Sequence, residues 1–404
     1  MSGATRVRRI LSGMLALALV AGVMYAAAAL LSPLPRLQVA QTLAESVDVE
    51  WRDELALPDA GSTAVLAESG SSATSGSADA RPIAGAAKLV LVSTVLAAEP
   101  LPAGAAGPAV SIDQVAVDRY LELRAAGART VAVQFGQTWT RRDLITATLI
   151  GSGNNTAELL IETVFGDLDG YLAAARTWLD EQGLTSTTVA DGTGLDPSSR
   201  STAIELARVG QLALETPVLA ELLTARPDET SAGARVDDEA GFVTELGTIG
   251  LVRSYSDAAG VCALFAVTIE DQTVVVSMLG QPGYPAAEIA AAAVVASVRE
   301  AVRPVEVVAA GESVAEARSL WGQSTELVAT EGVTVNSTEL DGLDVRIDAA
   351  HRSTIGQGND GGSLVVTAMG VEQVVRITST NAIGEPGVAW RFTDPATVIR
   401  RWTG

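Results

Sequence analysis

From residue 10 to residue 31 the chain carries no charge, and Arg6, Arg8 and Arg9 stand just ahead of that run. As a helix, those 22 residues would cross the roughly 30 Å hydrocarbon core of a bilayer. Cleaved signal peptides have a shorter apolar region, roughly 7 to 15 residues. The pattern therefore predicts a retained anchor, with the alanines at 26–29 as the cleavage site if it is instead a signal. The arginines place residues 1–9 in the cytoplasm as a basic tail and everything after the span outside.

Residues 32–57 mix proline, charge and short apolar runs and predict a tether. Beyond them the apolar period switches between that of strands and that of helices. Residues 63–68 read as a strand, with the Gly/Ser cluster at 69–76 as a hairpin turn. Leu89, Val92, Val95 and Leu96 fall on one face of a helix over 85–99. Thr140 with Asp143, and Thr202 with Glu205, have the spacing of capping boxes that start helices. Between them lie helical runs over 144–150, 155–164 and 168–182, the first two separated by Gly-Ser-Gly at 151–153. Such a break puts a loop at the edge of a helical region, where binding residues concentrate. After Pro227 strands follow at 248–253, 261–269 and 274–279, with 270–272 as a turn, and then a helix over 286–301 ended by Pro304. The order predicts an α+β domain over 58–302, an antiparallel sheet covered by helices. From 303 to 404, strand-like runs at 305–308, 364–368 and 374–377 with a Gly-rich turn at 357–362 predict a small separate β-rich domain ending near Trp402.

A net charge of −21 argues against nucleic acid as a partner. The single cysteine, Cys262, and single histidine, His351, rule out a disulfide framework, a Cys/His metal site and a Ser-His-Asp triad, and no cofactor or metal is expected. Cys262 lies in an apolar strand and reads as a buried small hydrophobe. His351 stands beside Arg352 in a loop and reads as exposed and inert. Among 27 basic residues only Lys88 is a lysine, so serine chemistry would have one candidate amine as its base.

Four landmarks now bear on function. They are Arg81-Pro-Ile-Ala-Gly-Ala-Ala-Lys-Leu-Val90; Ser152-Gly-Asn154 followed by Asn155-Thr-Ala-Glu-Leu-Leu160; Gly192-Thr-Gly-Leu-Asp-Pro197 with Ser201-Thr-Ala-Ile-Glu-Leu-Ala207; and Gly250-Leu-Val-Arg-Ser254 with Ser256-Asp-Ala-Ala-Gly260. In this order and spacing they resemble the serine-type D-Ala-D-Ala carboxypeptidases, the low-molecular-mass penicillin-binding proteins, over roughly 58–302. The resemblance implies a beta-lactamase/transpeptidase-like fold and acyl transfer through a serine ester. An S-x-x-K motif supplies nucleophile and base one helical turn apart. An S-x-N motif supplies a proton relay and an amide ligand, and a K-T-G strand supplies positive charge and backbone pairing.

Carried over by position, the nucleophile is lost to Gly85, while Lys88 keeps the base position and Ser152 and Asn154 keep the second motif. The third motif is lost, with Val252, Arg253 and Ser254 in the places of lysine, threonine and glycine. Arg253 is one residue out of step with the missing lysine, and a one-residue shift along a strand turns a side chain to the other face. Removing the nucleophile of a serine hydrolase costs on the order of 10⁶ in turnover. The leading expectation is a pseudoenzyme of the cell membrane, its globular part extracytoplasmic, that binds peptidoglycan stem peptides or an envelope protein partner. The alternatives are an active carboxypeptidase with a non-standard nucleophile such as Ser152, and a structural envelope protein with a closed cleft. In the bland reading, Lys88, Ser152 and Asn154 only hydrogen-bond one another.

Overall fold

The computed structural model describes the backbone of residues 3–43, 51–270, 272–392 and 398. They form two compact units, Glu50–Arg303 and a second made of Met1–Val49 with Pro304–Gly404.

In Glu50–Arg303 a five-stranded antiparallel sheet has the spatial order Ser72–Gly76, Ser62–Ala67, Gln272–Gln281, Gly260–Ile269, Ile249–Ser256. Its three inner strands are buried without alternation because both faces are covered. Cys262, Leu264 and Ala266 face one set of helices, and Ala263, Phe265 and Val267 face Val294 and Val298 of the helix Tyr284–Ala301. The helix Ala87–Ala98 is buried along most of its length, from Ala87 to Leu96, which explains why it is apolar all round. The predicted helical start at 85 is instead a 3₁₀ turn, Ala84–Ala86, leading into it.

Two local expectations need correction, and one helix lies where the pattern predicts none. Only the front of the Gly/Ser cluster is a turn, since Ser72–Gly76 pairs as an edge strand with Ser62 to Leu66. Ladder pairing there outweighs the low strand propensity of serine and glycine. Thr140 and Asp143 form a full capping box, whereas at Thr202 only half of one exists. The Glu205 carboxylate turns away to accept from Ser186 N and Thr187 Oγ1, tying down the preceding loop. The helix Gln114–Ala125, capped by Asp113, went unpredicted because it fully buries no residue and so leaves no apolar stripe to read. The predicted turn at 270–272 includes Asp271, which lies outside the described residues, as does Trp402.

The second unit carries a six-stranded antiparallel sheet around Val314, Leu327, Leu364 and Ile377. Its edge strand, Gln38–Gln41, comes from the stretch read as a tether and pairs with Ser313–Arg318. Ahead of it, Gly3–Leu31 is one helix, long and apolar enough over Arg6–Leu31 to cross a membrane. His351 is exposed.

Candidate functional site

Gly85 occupies the 3₁₀ turn, and Lys88 follows in the first turn of the buried helix. Ser152 lies in the 151–153 break, and Asn154 opens the helix Asn154–Phe165. Ser254 comes from the edge strand Ile249–Ser256. These five residues line one cavity of about 160 Å³, and Val252 joins Gly85, Lys88 and Ser152 around a smaller adjoining space. Two non-glycine residues beside the cavity, Ala84 (φ 46°) and Ser152 (φ 52°), hold left-handed backbone, which ordinary side chains adopt at a cost.

The turn that places Gly85 depends on a close approach from the facing loop. A Cβ on Gly194 would stand 1.6 Å from Ala84 O, and Gly194 has φ +77°, so only glycine fits. Asp191 organises that loop by accepting from the backbone N–H groups of Thr193, Gly194 and Asp196. The loop in turn offers Thr193 O to Lys88 Nζ at 2.9 Å.

At Gly85 itself, a Cβ would meet Ser254 Cβ at 3.0 Å, Lys88 Nζ at 3.3 Å and Ser254 Oγ at 3.4 Å. The nucleophile's place is therefore vacant in sequence and largely filled in space. Ser254 Oγ is buried with no hydrogen-bond partner among the described residues, so it is shielded from an incoming carbonyl.

Lys88 is 4% exposed. Burial pulls its ammonium down to about 8, Asp191 opposes the shift and Arg129 adds to it. An amine poised there is half neutral near that pH, the state a proton acceptor needs.

No hydrogen bonds join Lys88, Ser152 and Asn154 to one another among the described residues. Asn154 Nδ2 donates instead to Arg129 O at 3.0 Å, and its Oδ1 is left buried and unpaired. Asn155 clamps the same segment through Val131 N (3.0 Å) and Val131 O (2.9 Å), which fixes where Arg129 emerges. An unpaired buried acceptor costs about 1–3 kcal/mol. Asn154 lines the cavity, but this oxygen is held out of reach of solvent.

Across the edge strand, Val252 and Ser254 pair with Leu264 and Cys262, on the sheet face toward the cleft and helices. Arg253 pairs with Ala263 on the opposite face. Its guanidinium lies 4.9 Å from the rings of Phe242 and Tyr284 and 3.3 Å from Glu288, and it donates to Glu239 O. Arg253 thus reaches the edge of both cavities, but its charge is engaged by Glu288, two aromatic rings and Glu239 O rather than standing where the K-T-G lysine would.

A second arginine at the cavity is Arg129, which is ion-paired with Glu239. Sequence reading missed both residues, and held Thr193 only as part of a landmark, without a role. Arg129 follows Gly127 in a stretch with no motif, and Glu239 lies among scattered acids, so neither carried a local signal. Burial raises the Cys262 thiol to about 11, leaving it an inert core group.

The site thus keeps Lys88, Ser152 and Asn154 around one cavity, with a poised amine and no side chain at the nucleophile position Gly85. The family model for D-alanyl-D-alanine carboxypeptidases matches residues 57–282, more than half of the chain. Among solved structures, penicillin binding protein 5 from Haemophilus influenzae superposes with a TM-score of 0.55 at 17% identity, covering 81% of this chain and 98% of that one. A peptidoglycan synthesis regulatory factor from Streptococcus pneumoniae gives a TM-score of 0.57 at 17% identity, covering 80% and 99%. The Streptomyces K15 DD-transpeptidase, as a mutant, gives 0.53 at 19% identity, covering 59% and 97%. At these identities the likeness shows the fold. No curated protein sequence matches the chain. By the family match and the shared fold, this protein belongs to the D-alanyl-D-alanine carboxypeptidase family.

Proposed function

We propose that this cell-wall protein is a non-acylating carboxypeptidase homologue, held at the membrane by its N-terminal helix with the globular part outside the cytoplasm. It binds the D-Ala-D-Ala end of peptidoglycan stem peptides in the cleft without cleaving them. One observation carries the reading: Ser254 crowds the place of the missing nucleophile at Gly85, while Lys88 and Asn154 still line the same cavity, the Asn154 Oδ1 buried there without a partner. A group of this kind costs stability unless a ligand uses it. The cavity, at about 160 Å³, is smaller than the usual 300–1,000 Å³ of ligand sites, so it takes the narrow tip of a peptide.

The test is equilibrium dialysis of the full chain in nanodiscs against a radiolabelled D-Ala-D-Ala-terminated pentapeptide, with chromatography for free D-alanine. Retention of the peptide without D-alanine release supports the reading. Retention lost in Asn154→Leu ties it to the cleft. Release of D-alanine would establish an active enzyme, and no retention would favour a structural role with a closed cleft.

A further inference from the structure

A second cavity, about 380 Å³, lies on the far side of the 191–195 loop from Lys88, between that loop and the helices Gln114–Ala125 and Asn154–Phe165. Its volume falls within the range of small-molecule sites, and the cleft function proposed above does not use it. Val115, Leu168 and Leu195 line it and are 59%, 43% and 53% exposed, so three large apolar side chains stand in water around one opening.

The polar part of the wall is acidic. Glu158 and Glu162 lie one helical turn apart on the same face, with Asp191 opposite, and Arg119 is the one cation lining the cavity among the described residues. Asp191 is engaged by backbone N–H groups of its own loop. Arg119 pairs with Glu158 at 3.2 Å but is half exposed. It does not cancel the local charge. Glu158 is held above the ordinary carboxylate range by burial first, against the pull of Arg119 and with a further push from Asp191 and Glu122.

We propose that this cavity binds an amphipathic ammonium ion, its short alkyl or aryl stem against Val115, Leu159 and Leu195 and its charged head between Glu158 and Glu162. The walls favour the stem by burial, and the two carboxylates select the cation over a neutral or anionic analogue. Thr193 and Leu195 line both cavities, and Thr193 O receives the Lys88 ammonium, so occupancy is sensed at Lys88 through one shared loop.

The sole lysine makes that readable. Protein labelled with ¹³C at lysine Cε gives a single Lys88 signal, and calorimetry measures affinity for n-pentylammonium, n-pentanol and pentanoate on the full chain in nanodiscs. The expected result is saturable pentylammonium binding that shifts the Lys88 signal, with pentanol at least about tenfold weaker and pentanoate silent. Glu158→Gln weakens pentylammonium about tenfold, and Leu195→Ala, at an exposed position, weakens all apolar binding. Equal affinity for pentanol, unchanged affinity in both variants, or no saturable binding would overturn the proposal. Loss of binding here with the D-Ala-D-Ala peptide still retained would leave the cleft reading standing.

Discussion

Ser254 Cβ stands 3.0 Å from the point at which a Cβ on Gly85 would lie. The two departures from the family motifs, a serine lost at 85 and a glycine lost at 254, are thus one exchange in space: side-chain volume has moved from one wall of the site to the other. The exchange also leaves Ser254 Oγ buried without a partner.

Reversing only half of that exchange overpacks the site. Gly85→Ser is expected to lower the melting temperature, since overpacking a tight position costs about 1–3 kcal/mol. It gives no penicillin adduct. Gly85→Ser with Ser254→Gly recovers stability and gives slow acylation, and adding Val252→Lys raises the rate further. Thermal melts with fluorescent-penicillin labelling check this; a single variant as stable and as reactive as the double would contradict the exchange.

Lys88 is kept at a cost to stability. Its ammonium is pulled from 10.5 to about 8, so the folded state disfavours the charged form. Below pH 8 both folded and unfolded chains are protonated there and the full penalty applies. Between about 8 and 10.5 the unfolded chain holds the extra proton, and stability rises with pH. The penalty is on the order of 3 kcal/mol, partly offset by the roughly 1 kcal/mol bond to Thr193 O. Lys88→Met is expected to stabilise the protein by about 2 kcal/mol at pH 7, with the gain fading toward pH 10.5. Chemical denaturation from pH 6 to 10.5 measures it, and a destabilised variant at pH 7 would contradict the account.

The sequence made the site's members legible but not their packing. Gly85, Lys88, Ser152 and Asn154 could be found because motif spacing on helices and loops survives the loss of chemistry. The role of Ser254 could not, because its contact with Gly85 joins positions 169 residues apart on different elements. Arg129 owes its place to the grip of Asn154 and Asn155 on the 129–131 segment, which no local pattern announces. The strand Gln38–Gln41 read as tether because an edge strand of four residues has only one partner to show for itself. Strands covered on both faces and the buried helix were legible as continuous apolar runs.

Asp143 is the polar anchor of the helical region behind the cleft. Its carboxylate accepts from Thr140 N and Oγ1 at 2.8 and 2.6 Å and from Ser231 N and Oγ at 2.7 and 2.6 Å. Burial works to raise its pKa, but the bonds from Ser231 and Thr140 together outweigh it and hold the group below 3.8. The stabilisation is present above that value and is lost as pH falls through the lower folded value. Asp143→Ala is expected to cost about 2–4 kcal/mol, as a lost cap with four donors left unpaired. Asp143→Asn should flatten the acid limb of the stability curve. Urea melts between pH 2.5 and 7 check both, and a variant within 0.5 kcal/mol of the parent, the ordinary scatter of a surface change, would contradict the anchor.

The central claim is that the family's cleft persists here without its serine chemistry, and covalent labelling reaches it most directly. Full-length protein is incubated with a penicillin, and its intact mass is measured, followed by peptide mapping. The account predicts an unchanged mass, because Gly85 has no side chain, Ser254 Oγ is buried and Ser152 does not share a hydrogen bond with Lys88 among the described residues. A stoichiometric adduct mapping to Ser152, Ser254 or any other serine would contradict it.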